Sequence, residues 1–290
     1  MKIKKLSMFL ISMGVLFVFP CFVMAKEDCY LINNNNLEIN YSEYANLINL
    51  GFTEQEIMNM AYDEFIDNKD LKGEIVDTEV KYYTNTTKYD FGHNIVSSVD
   101  QEISEFMYNN SNVLVPFGLT PGYTEISSRK VTTTIIAVSN MYRYKITVEW
   151  KSIPSVKSND IMGIGIDSSV YIHSDIYFQQ NYCYSDGSCS SNMISYPKIT
   201  STGGGVSFQL ASYGSLTSLS SYMYFTVAKS GSATITKLNA YGDSSHALST
   251  VSSNDAKNYS INRAGIVLNS SILNYYDAIP VTKAVWTGSW

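Results

Sequence analysis

Basic residues are scarce in this sequence and, apart from three lysines near its start, do not cluster. The 290 residues contain 20 Lys and Arg against 26 Asp and Glu, and charged residues make up only 16% of the chain. Proteins that bind nucleic acid or anionic lipid usually concentrate Lys and Arg in a patch or a run. The composition therefore argues against both of these partners. Tyr, Ser, Thr and Asn are abundant instead, which is typical of a polar β-sheet surface and not of a disordered tail.

The sequence also lacks the motifs of catalytic and cofactor sites. The three histidines, His93, His173 and His246, are far apart, and there is no G-x-S-x-G, H-E-x-x-H or phosphate-binding loop. Three glycines at 203–205 precede a strand and predict a flexible turn. We therefore predict no catalytic, cofactor or metal residue. A secreted hydrolase, either a glycosidase or a peptidase, stays open, because triads and carboxylate pairs assemble through the fold.

Only one long apolar run occurs, and it lies at the start of the sequence. Three lysines precede it, and Val23-Met24-Ala25 fits a small-residue cleavage site. This order predicts a secretory signal peptide over residues 1–25, cleaved after Ala25, and hence an extracellular or cell-surface protein. Cleavage would remove three Lys and no acidic residue, changing the formal net charge from −6 to −9. The alternative is a retained anchor, although Pro20 shortens the apolar span below the ~20 residues that a bilayer needs.

Cysteines are few, and three would remain after cleavage. Cys183 and Cys189 flank the loop Ser185-Asp186-Gly187, whose composition is common in hairpin turns. Counting outward from this loop pairs the two cysteines directly across the strands, and export would allow them to form a disulfide. A zinc site would need four nitrogen or sulfur ligands, and no CxxC or HxxxH partner is present. Cys29 is left either as a free thiol or as a linker to another chain.

The region after the signal peptide has helical periodicity. Tyr44 and Leu47 recur at helical spacing, and Gly51 is placed to end that helix. Thr53 and Glu56 have the spacing of a capping box at the start of the next helix. Residues 26–73 are therefore predicted to form two or three short helices that pack on the rest of the chain.

From residue 74 onward the period changes from helical to two. The predicted strands are 75–84, 131–138, 142–151, 160–173, 176–184, 205–211, 221–229 and 233–242, with one or two more near 264–268 and 283–290. Turn signals such as Ser139-Asn140 separate them, and 97–110 is predicted as a helix. Many short punctuated strands predict an antiparallel β-sandwich, jelly-roll-like, over residues 74–290. The fold class is thus mainly β with a small N-terminal helical region.

The segment 142–151 alternates without interruption. Tyr142 and Trp150 belong to its apolar row, and Arg143 and Lys145 to its polar row. The pattern predicts a core strand with Trp150 buried and a solvated opposite face, on which Glu149 has a cross-strand partner. A membrane-inserting pore-forming strand is the rival interpretation, but its lipid-facing row should be apolar over ~9–11 residues. Only segment 142–151 has an apolar row of that length, so no other predicted strand meets the requirement for insertion into a membrane.

A second alternating row suggests a ligand-binding face. The apolar row is predicted to face the core, because a buried row fixes which side of a strand points inward. It consists of Ile172, Ile176, Phe178 and Tyr182. The opposite row would then be exposed and consists of Tyr171, His173, Asp175, Tyr177, Gln179 and Asn181. Aromatic rings and planar amides bind sugars through stacking and hydrogen bonds. We therefore predict a non-enzymatic binding protein for an extracellular glycan or an envelope protein, with no cofactor. These residue types also occur on ordinary sheet surfaces, which is the alternative.

The segment 131–166 contains a distinctive pattern of residues at the end of one predicted strand and the start of the next. In it Trp150-Lys151 and Pro154 end one strand, and Lys157-Ser158 with Asp160 open the next. This pattern resembles that of a group of secreted proteins of unassigned activity from low-GC Gram-positive bacteria. The resemblance implies secretion and a bacterial source, and it brings no activity with it.

Overall fold

The computed structural model describes residues 30–110, 122–212 and 214–290. The predicted signal peptide, its cleavage site and Cys29 lie outside the described residues. The helices are α1 (Tyr41–Asn49), α2 (Glu54–Met58), α3 (Tyr62–Asn68) and α4 (Glu105–Asn110), with 3-10 turns at Asp255–Lys257 and Leu273–Tyr275. The strands are β1 (Tyr30–Ile32), β2 (Glu38–Asn40), β3 (Gly73–Tyr89), β4 (Ile95–Ile103), β5 (Tyr123–Val138), β6 (Met141–Ser152), β7 (Asn159–Ile166), β8 (Val170–Ile172), β9 (Tyr177–Tyr184), β10 (Cys189–Asn192), β11 (Tyr196–Thr200), β12 (Gly203–Gln209), β13 (Leu216–Lys229), β14 (Lys237–Ser245), β15 (Tyr259–Asn262), β16 (Gly265–Leu268) and β17 (Thr282–Thr287).

Two antiparallel sheets form the body of the protein. The first has eight strands in the order β10-β9-β13-β6-β5-β3-β4, with β8 pairing to β13, and the second has five in the order β11-β12-β7-β14-β17. One apolar core joins them, with Tyr144 and Trp150 of β6 on one side and Met162 and Ile164 of β7 on the other. The predicted mainly β sandwich is confirmed, and Trp150 is buried as expected.

The N-terminal helices cover the outer face of the first sheet. Local sequence starts and ends them: the Thr53–Glu56 capping box is present at α2, and Gly51 follows α1 with a φ of 76°. The prediction of two or three short helices is therefore confirmed. Their apolar residues form a core of their own with the outer face of the sheet, composed of Ile39, Leu47, Leu50, Phe52, Ile57, Met60 and Phe65 with Ile136, Val138, Tyr222 and Tyr224.

This helical layer overturns one prediction about β6. Arg143, Lys145 and Thr147 were expected on a solvated face, but all three are buried. The reason is that the helices bring their own polar partners: Lys145 and Thr147 both donate hydrogen bonds to Glu56. Only the end of the row stays accessible, where Glu149 pairs with Lys130 on β5 at 2.7 Å, as a cross-strand partner should.

The prediction of a helix over 97–110 is wrong for most of that stretch. β4 occupies Ile95–Ile103 and pairs along its length with β3, and only Glu105–Asn110 is helical. The apolar spacing of the stretch suits either structure, and pairing with a long neighbouring strand decides between them.

The glycines at 203–205 do not form the predicted turn. They begin β12, which pairs with β7 through Gly163 and Gly165. A Cβ on Gly205 would overlap the side chain of Ile261, which belongs to the β15–β16 hairpin on the outer face of this sheet. The glycines therefore allow a close approach between a sheet and a hairpin.

Candidate functional site

An open cavity of about 580 Å³ lies at one end of the first sheet. The residues that line it come from three strand ends and from the last residue of the sequence: Asn140, Met141, His173, Ala228, Lys229 and Trp290. Binding sites for small ligands are usually concave and combine aromatic surface with a few convergent polar groups. This cavity has both features.

Backbone pairing places most of the cavity wall. Tyr142 of β6 pairs with Val227 of β13, so the β5–β6 turn and the end of β13 lie side by side. Ser139 in that turn has a φ of 54°, as the predicted Ser139-Asn140 turn allows. His173 follows β8, and its backbone N–H donates to the carbonyl of Thr226 at 2.8 Å, which holds the residue beside β13.

The indole ring of Trp290 is held in one orientation. Its Nε1 donates to the carbonyl oxygen of Asn140 at 3.0 Å, and its backbone pairs with Ile235 in both directions. The ring also packs edge-on against Tyr142, with centroids 4.8 Å apart. Lys229 Nζ lies over the indole ring, 5.4 Å from its centroid. A rigid aromatic surface and a cation therefore lie next to each other in the cavity.

One half of the predicted binding face is exposed in the structure, and the other half is mostly buried. Tyr171, His173 and Asp175 are exposed, and the rings of Tyr171 and His173 form a T-shaped pair with centroids 6.1 Å apart. Gln179 and Asn181, expected at solvent, are both completely buried. The alternation itself is correct, since Phe178 lies in the core between the sheets and contacts Phe208.

The burial of Gln179 and Asn181 has the same cause as that of Lys145. Gln179 Nε2 donates to the carbonyl of Asn59 in the helical layer and to Asn181 Oδ1, at 2.8 and 2.7 Å. Tyr177 is partly buried and stacks on Tyr224 with centroids 5.1 Å apart. The second half of the predicted row is thus an interface with the helices.

The sequence prediction and the cavity share only His173. Asn140 fell in a predicted turn and Lys229 at the end of a predicted strand, but nothing in the sequence indicated that they meet Trp290. Distant segments come together here through the sandwich topology, which the sequence pattern does not reveal.

A second group of polar residues is buried near the other end of β6. His246 Nδ1 lies 2.9 Å from Asp160 Oδ1, and the backbone N–H of Ala247 donates to the same oxygen. Arg129 pairs with Asp277 at 2.9 Å, and Asp277 also accepts the backbone N–H of His246. Histidine and carboxylate have therefore come together through the fold, as a hydrolase would require.

Burial raises the pKa of two carboxyl groups at this cluster, Asp243 and Asp277. Loss of solvent raises the pKa of Asp243 to about 6, against the opposing effects of a hydrogen bond from Ile266 and the nearby Arg129. Burial also raises the pKa of Asp277, and here the charge of Arg129 opposes it. Asp160, near the start of β7, accepts a hydrogen bond from the backbone N–H of Ala247 in the segment after β14.

This cluster has no room for a substrate. His246 is 2% exposed and Asp160 5%, and the adjoining cavity, lined also by Trp150 and Ser244, measures about 10 Å³. That volume is about one water molecule. The arrangement ties the ends of β7 and β14 to the segment around Asp277, which is a structural role.

Neither a metal site nor a membrane-spanning helix occurs in the described part of the chain. In residues 30–110, 122–212 and 214–290, no three His, Cys, Asp or Glu side chains gather as metal ligands. Over these ranges no helix has the length and apolar character needed to span a bilayer.

The predicted disulfide is confirmed. Cys183 and Cys189 are direct cross-strand partners in the β9–β10 hairpin, and their sulfurs are bonded at 2.08 Å. The backbone N–H of Tyr184 donates to the carbonyl of Ser188 just inside them, which closes the predicted short loop. A bond of this kind is compatible with an extracellular location.

Comparison with known proteins adds no assignment. No protein-family model matches this chain, and no curated protein is significantly similar to it. Any function proposed for the chain therefore depends on the geometry and chemistry of its own residues.

Proposed function

We propose that this is an extracellular binding protein that recognises a glycan, of the cell envelope or of the surroundings, through the cavity at Trp290. The observation that supports this most directly is the fixed indole ring beside His173, Asn140 and Lys229. The same cavity lacks a paired acid and base or an activated nucleophile among its lining residues, so binding accounts for it better than catalysis.

The chemistry of the lining suits a sugar. The apolar face of a sugar ring stacks on an indole, and hydroxyl groups accept and donate hydrogen bonds with imidazole and amide groups. A single stacked ring contributes about 1 kcal/mol, so a weak site of this kind needs several such contacts or several sugar units. The exposed Tyr171 next to His173 offers a further ring for a longer chain.

Three observations support export. They are the predicted signal peptide, the Cys183–Cys189 disulfide and the resemblance to secreted proteins of low-GC Gram-positive bacteria. Mass spectrometry of the protein from its native host should find Lys26 as the first residue. An intact Met1 would refute cleavage after Ala25.

Retention on insoluble cell-wall polysaccharide tests the binding function. Trp290→Ala should lose most of the retention, and His173→Ala, on an exposed side chain, should lose part of it. Tyr62→Ala is the control, because Tyr62 is 62% exposed on α3 in the helical layer. Thermal unfolding of each variant separates loss of binding from loss of fold. Equal retention of all four proteins would refute the site.

A secreted hydrolase is the second candidate, and the Asp160–His246 pair is the observation that favours it. A panel of chromogenic glycosides and peptides tests this, with His246→Asn as the matched variant. Turnover by the unmodified protein that disappears in the variant would establish the hydrolase in place of the binding protein. We expect no turnover, because the pair is closed to substrates.

A further inference from the structure

We infer that two copies of this chain associate by pairing strand β4 (Ile95–Ile103) of one copy antiparallel with β4 of the other, about a twofold axis at Val99. The inference is independent of the glycan-binding proposal, because none of the residues that line the cavity at Trp290 lies on this strand. The paired strands would join the first sheets of the two copies into one continuous sheet.

The edge strands of the two sheets, other than β4, are poor sites for pairing. β10 has four residues and β8 three, and β11 contains Pro197, which has no N–H to donate. On β17, the backbone N–H groups of Lys283 and Val285 donate to the carboxylates of Glu79 and Asp77 on β3. Short length, proline and occupied N–H groups all prevent an edge from pairing with another strand.

β4 has none of these features. It runs for nine residues without Pro or Lys, and its only partner in the sheet is β3. None of its side chains is buried, and Val96 and Val99 are among the exposed ones. Within the ranges that the structure describes, no main-chain group of β4 bonds to a segment other than β3. A long, exposed edge of this kind is a template for another strand.

The two acidic residues of β4 are held by partners in the same chain. Glu102 forms an ion pair with Lys81 on β3 at 3.3 Å. Asp100 accepts hydrogen bonds from Asn85 Nδ2 and from the backbone N–H of Ala278, both at 2.9 Å. These contacts direct the two carboxylates toward their own protein and reduce their repulsion of a second strand.

The sequence of β4 complements itself when Val99 lies on the twofold axis. The facing pairs are then Val99 with Val99, Ser98 with Asp100, Ser97 with Gln101, Val96 with Glu102 and Ile95 with Ile103. Each acid thus faces an uncharged residue, and the apolar ends face each other. Centring the axis on Asp100 would instead set two aspartates opposite each other, which destabilises a strand pair.

The residues at the two ends of β4 indicate that the partner is a second copy. Phe91, in the turn before β4, and Phe106, in α4 after it, are 80% and 75% exposed, more than any other large apolar side chain described. Met107 beside Phe106 is exposed as well. In an antiparallel pair the start of one strand meets the end of the other, so Phe91 of each copy would lie near Phe106 and Met107 of the other copy. Association would therefore bury apolar surface at both ends of the paired strands, and aromatic residues contribute strongly to such interfaces.

Sedimentation equilibrium of the chain of residues 26–290 tests the association. Cys29→Ser is included in every protein, so that no dimer forms through that thiol. The proteins are the otherwise unmodified chain, Val99→Lys, and Val267→Lys as the control, because Val267 is also an exposed valine on a strand, β16. Thermal unfolding verifies that each variant is folded.

We expect the unmodified chain to form a dimer with a dissociation constant on the order of 10 µM, because the interface is small. Val99→Lys places two ammonium groups opposite each other and should raise this constant at least about tenfold. Val267→Lys should leave it unchanged.

Cysteine cross-linking tests the register. Oxidation of Val99→Cys should link two copies, because the axis brings position 99 against itself at a Cα separation of about 4.5–5.5 Å, which a disulfide can span. Gln101→Cys is the matched control. Positions 101 of the two copies would be four residues apart along the strands, about 13 Å, and should stay unlinked.

A dimer that Val99→Lys dissociates and Val99→Cys links supports the inference. A dimer that Val99→Lys leaves intact would place the contact elsewhere and overturn it, and linking through Gln101→Cys alone would overturn the register. A monomer at about 100 µM would also overturn it. Protection of the β4 amides from hydrogen exchange in that monomer would assign the edge to another segment of the same chain.

Discussion

Lys145 carries a charge in the interior, between the first sheet and the helical layer. Its side chain is 2% exposed, and its Nζ donates to Glu56 and to the carbonyl of Gly51. The rings of Phe52 and Tyr222 lie 4.9 and 5.1 Å from the ammonium group. A buried charge is tolerated when it is paired and hydrogen-bonded in this way. Removing either member of the ion pair leaves the other buried without a counter-charge, which lowers the free energy of unfolding.

Lys145→Met should lower the free energy of unfolding by about 3–5 kcal/mol, because it leaves the carboxylate of Glu56 buried without a counter-charge. Urea unfolding at pH 7 measures the loss. The double variant Lys145→Met with Glu56→Gln should recover most of it. Lys130→Met is the control: its pair with Glu149 is about one-third exposed on each side, so the loss should stay below about 1 kcal/mol. Equal losses for the two single variants would contradict the buried pair.

Glu64 is the residue whose titration should be visible in stability. Burial raises its pKa from 4.5 to about 7, although the hydroxyl of Tyr222 donates a hydrogen bond to it at 2.7 Å, which acts in the opposite direction. The folded protein therefore binds this proton more strongly than the unfolded chain does. Its contribution is favourable at low pH and is lost as the pH rises from about 4.5 through about 7.

The free energy of unfolding should accordingly fall by up to about 3 kcal/mol over that interval from Glu64 alone. Asp243 acts in the same direction between its ordinary value of 3.8 and about 6. Glu64→Gln should flatten the profile and stabilise the protein at pH 8, while Glu74→Gln, on an exposed side chain of β3, should leave it unchanged. Unfolding curves from pH 4 to 8 measure this, and a profile of Glu64→Gln that matches the unmodified protein would contradict it.

At the scale of single elements, the β9–β10 hairpin is held by more than its disulfide. Four residue pairs join the two strands, and Cys183 with Cys189 is only one of them. β9 is also paired with β13 on its other side. The disulfide therefore reinforces a strand that the sheet already holds.

Replacing both cysteines by serine should lower the free energy of unfolding by less than the ~3 kcal/mol expected for a 15-residue loop, because the residues are six apart. Thermal unfolding with and without reductant provides the same comparison. Thiol titration of the denatured chain from Lys26 onward should detect one thiol, from Cys29, if Cys29 is not linked to another chain. Detection of three thiols would show that the disulfide does not form.

Elements with a strong local signal were predicted well. Gly51 specifies the end of α1, and the Thr53–Glu56 capping box specifies the start of α2. Both signals act between residues that are close in sequence. The alternation of 142–151 likewise specifies β6. β4 was missed because its apolar spacing is ambiguous and its pairing with β3 is a long-range interaction, and the glycines of β12 were misread because their partner is the distant Ile261.

For the whole molecule, the helical region and the sandwich share a buried interface. Seven apolar residues of the N-terminal region share a core with four residues of the sheet. Polar bonds cross the same interface, including Arg143 to Asn68 at 2.7 Å and Tyr222 to Glu64. The parts of the chain before and after residue 74 therefore pack against each other through both apolar and polar contacts.

Deletion of residues 26–72 should prevent the remainder from folding, because it exposes that core and leaves Lys145 and Arg143 without partners in a face built for burial. The chain of residues 26–290 should unfold in one transition, measured by near-UV circular dichroism and calorimetry. A soluble 73–290 fragment with a cooperative transition would show that the sandwich is independent of the helices.

The sequence by itself determined the mainly β fold class, the short N-terminal helices, the position of the disulfide and the faces that β6 and β9 turn to the inter-sheet core. These depend on local periodicity, turn composition and residue spacing, which are properties of neighbouring residues. Only the tertiary structure decided what covers the opposite faces. It buried Lys145, Gln179 and Asn181 beneath the helices, because an alternating strand records which residues share a face and not whether another layer lies upon it. It also brought His173, Lys229 and Trp290 to one cavity, since residues that far apart in sequence meet only through the order of strands in the sheets.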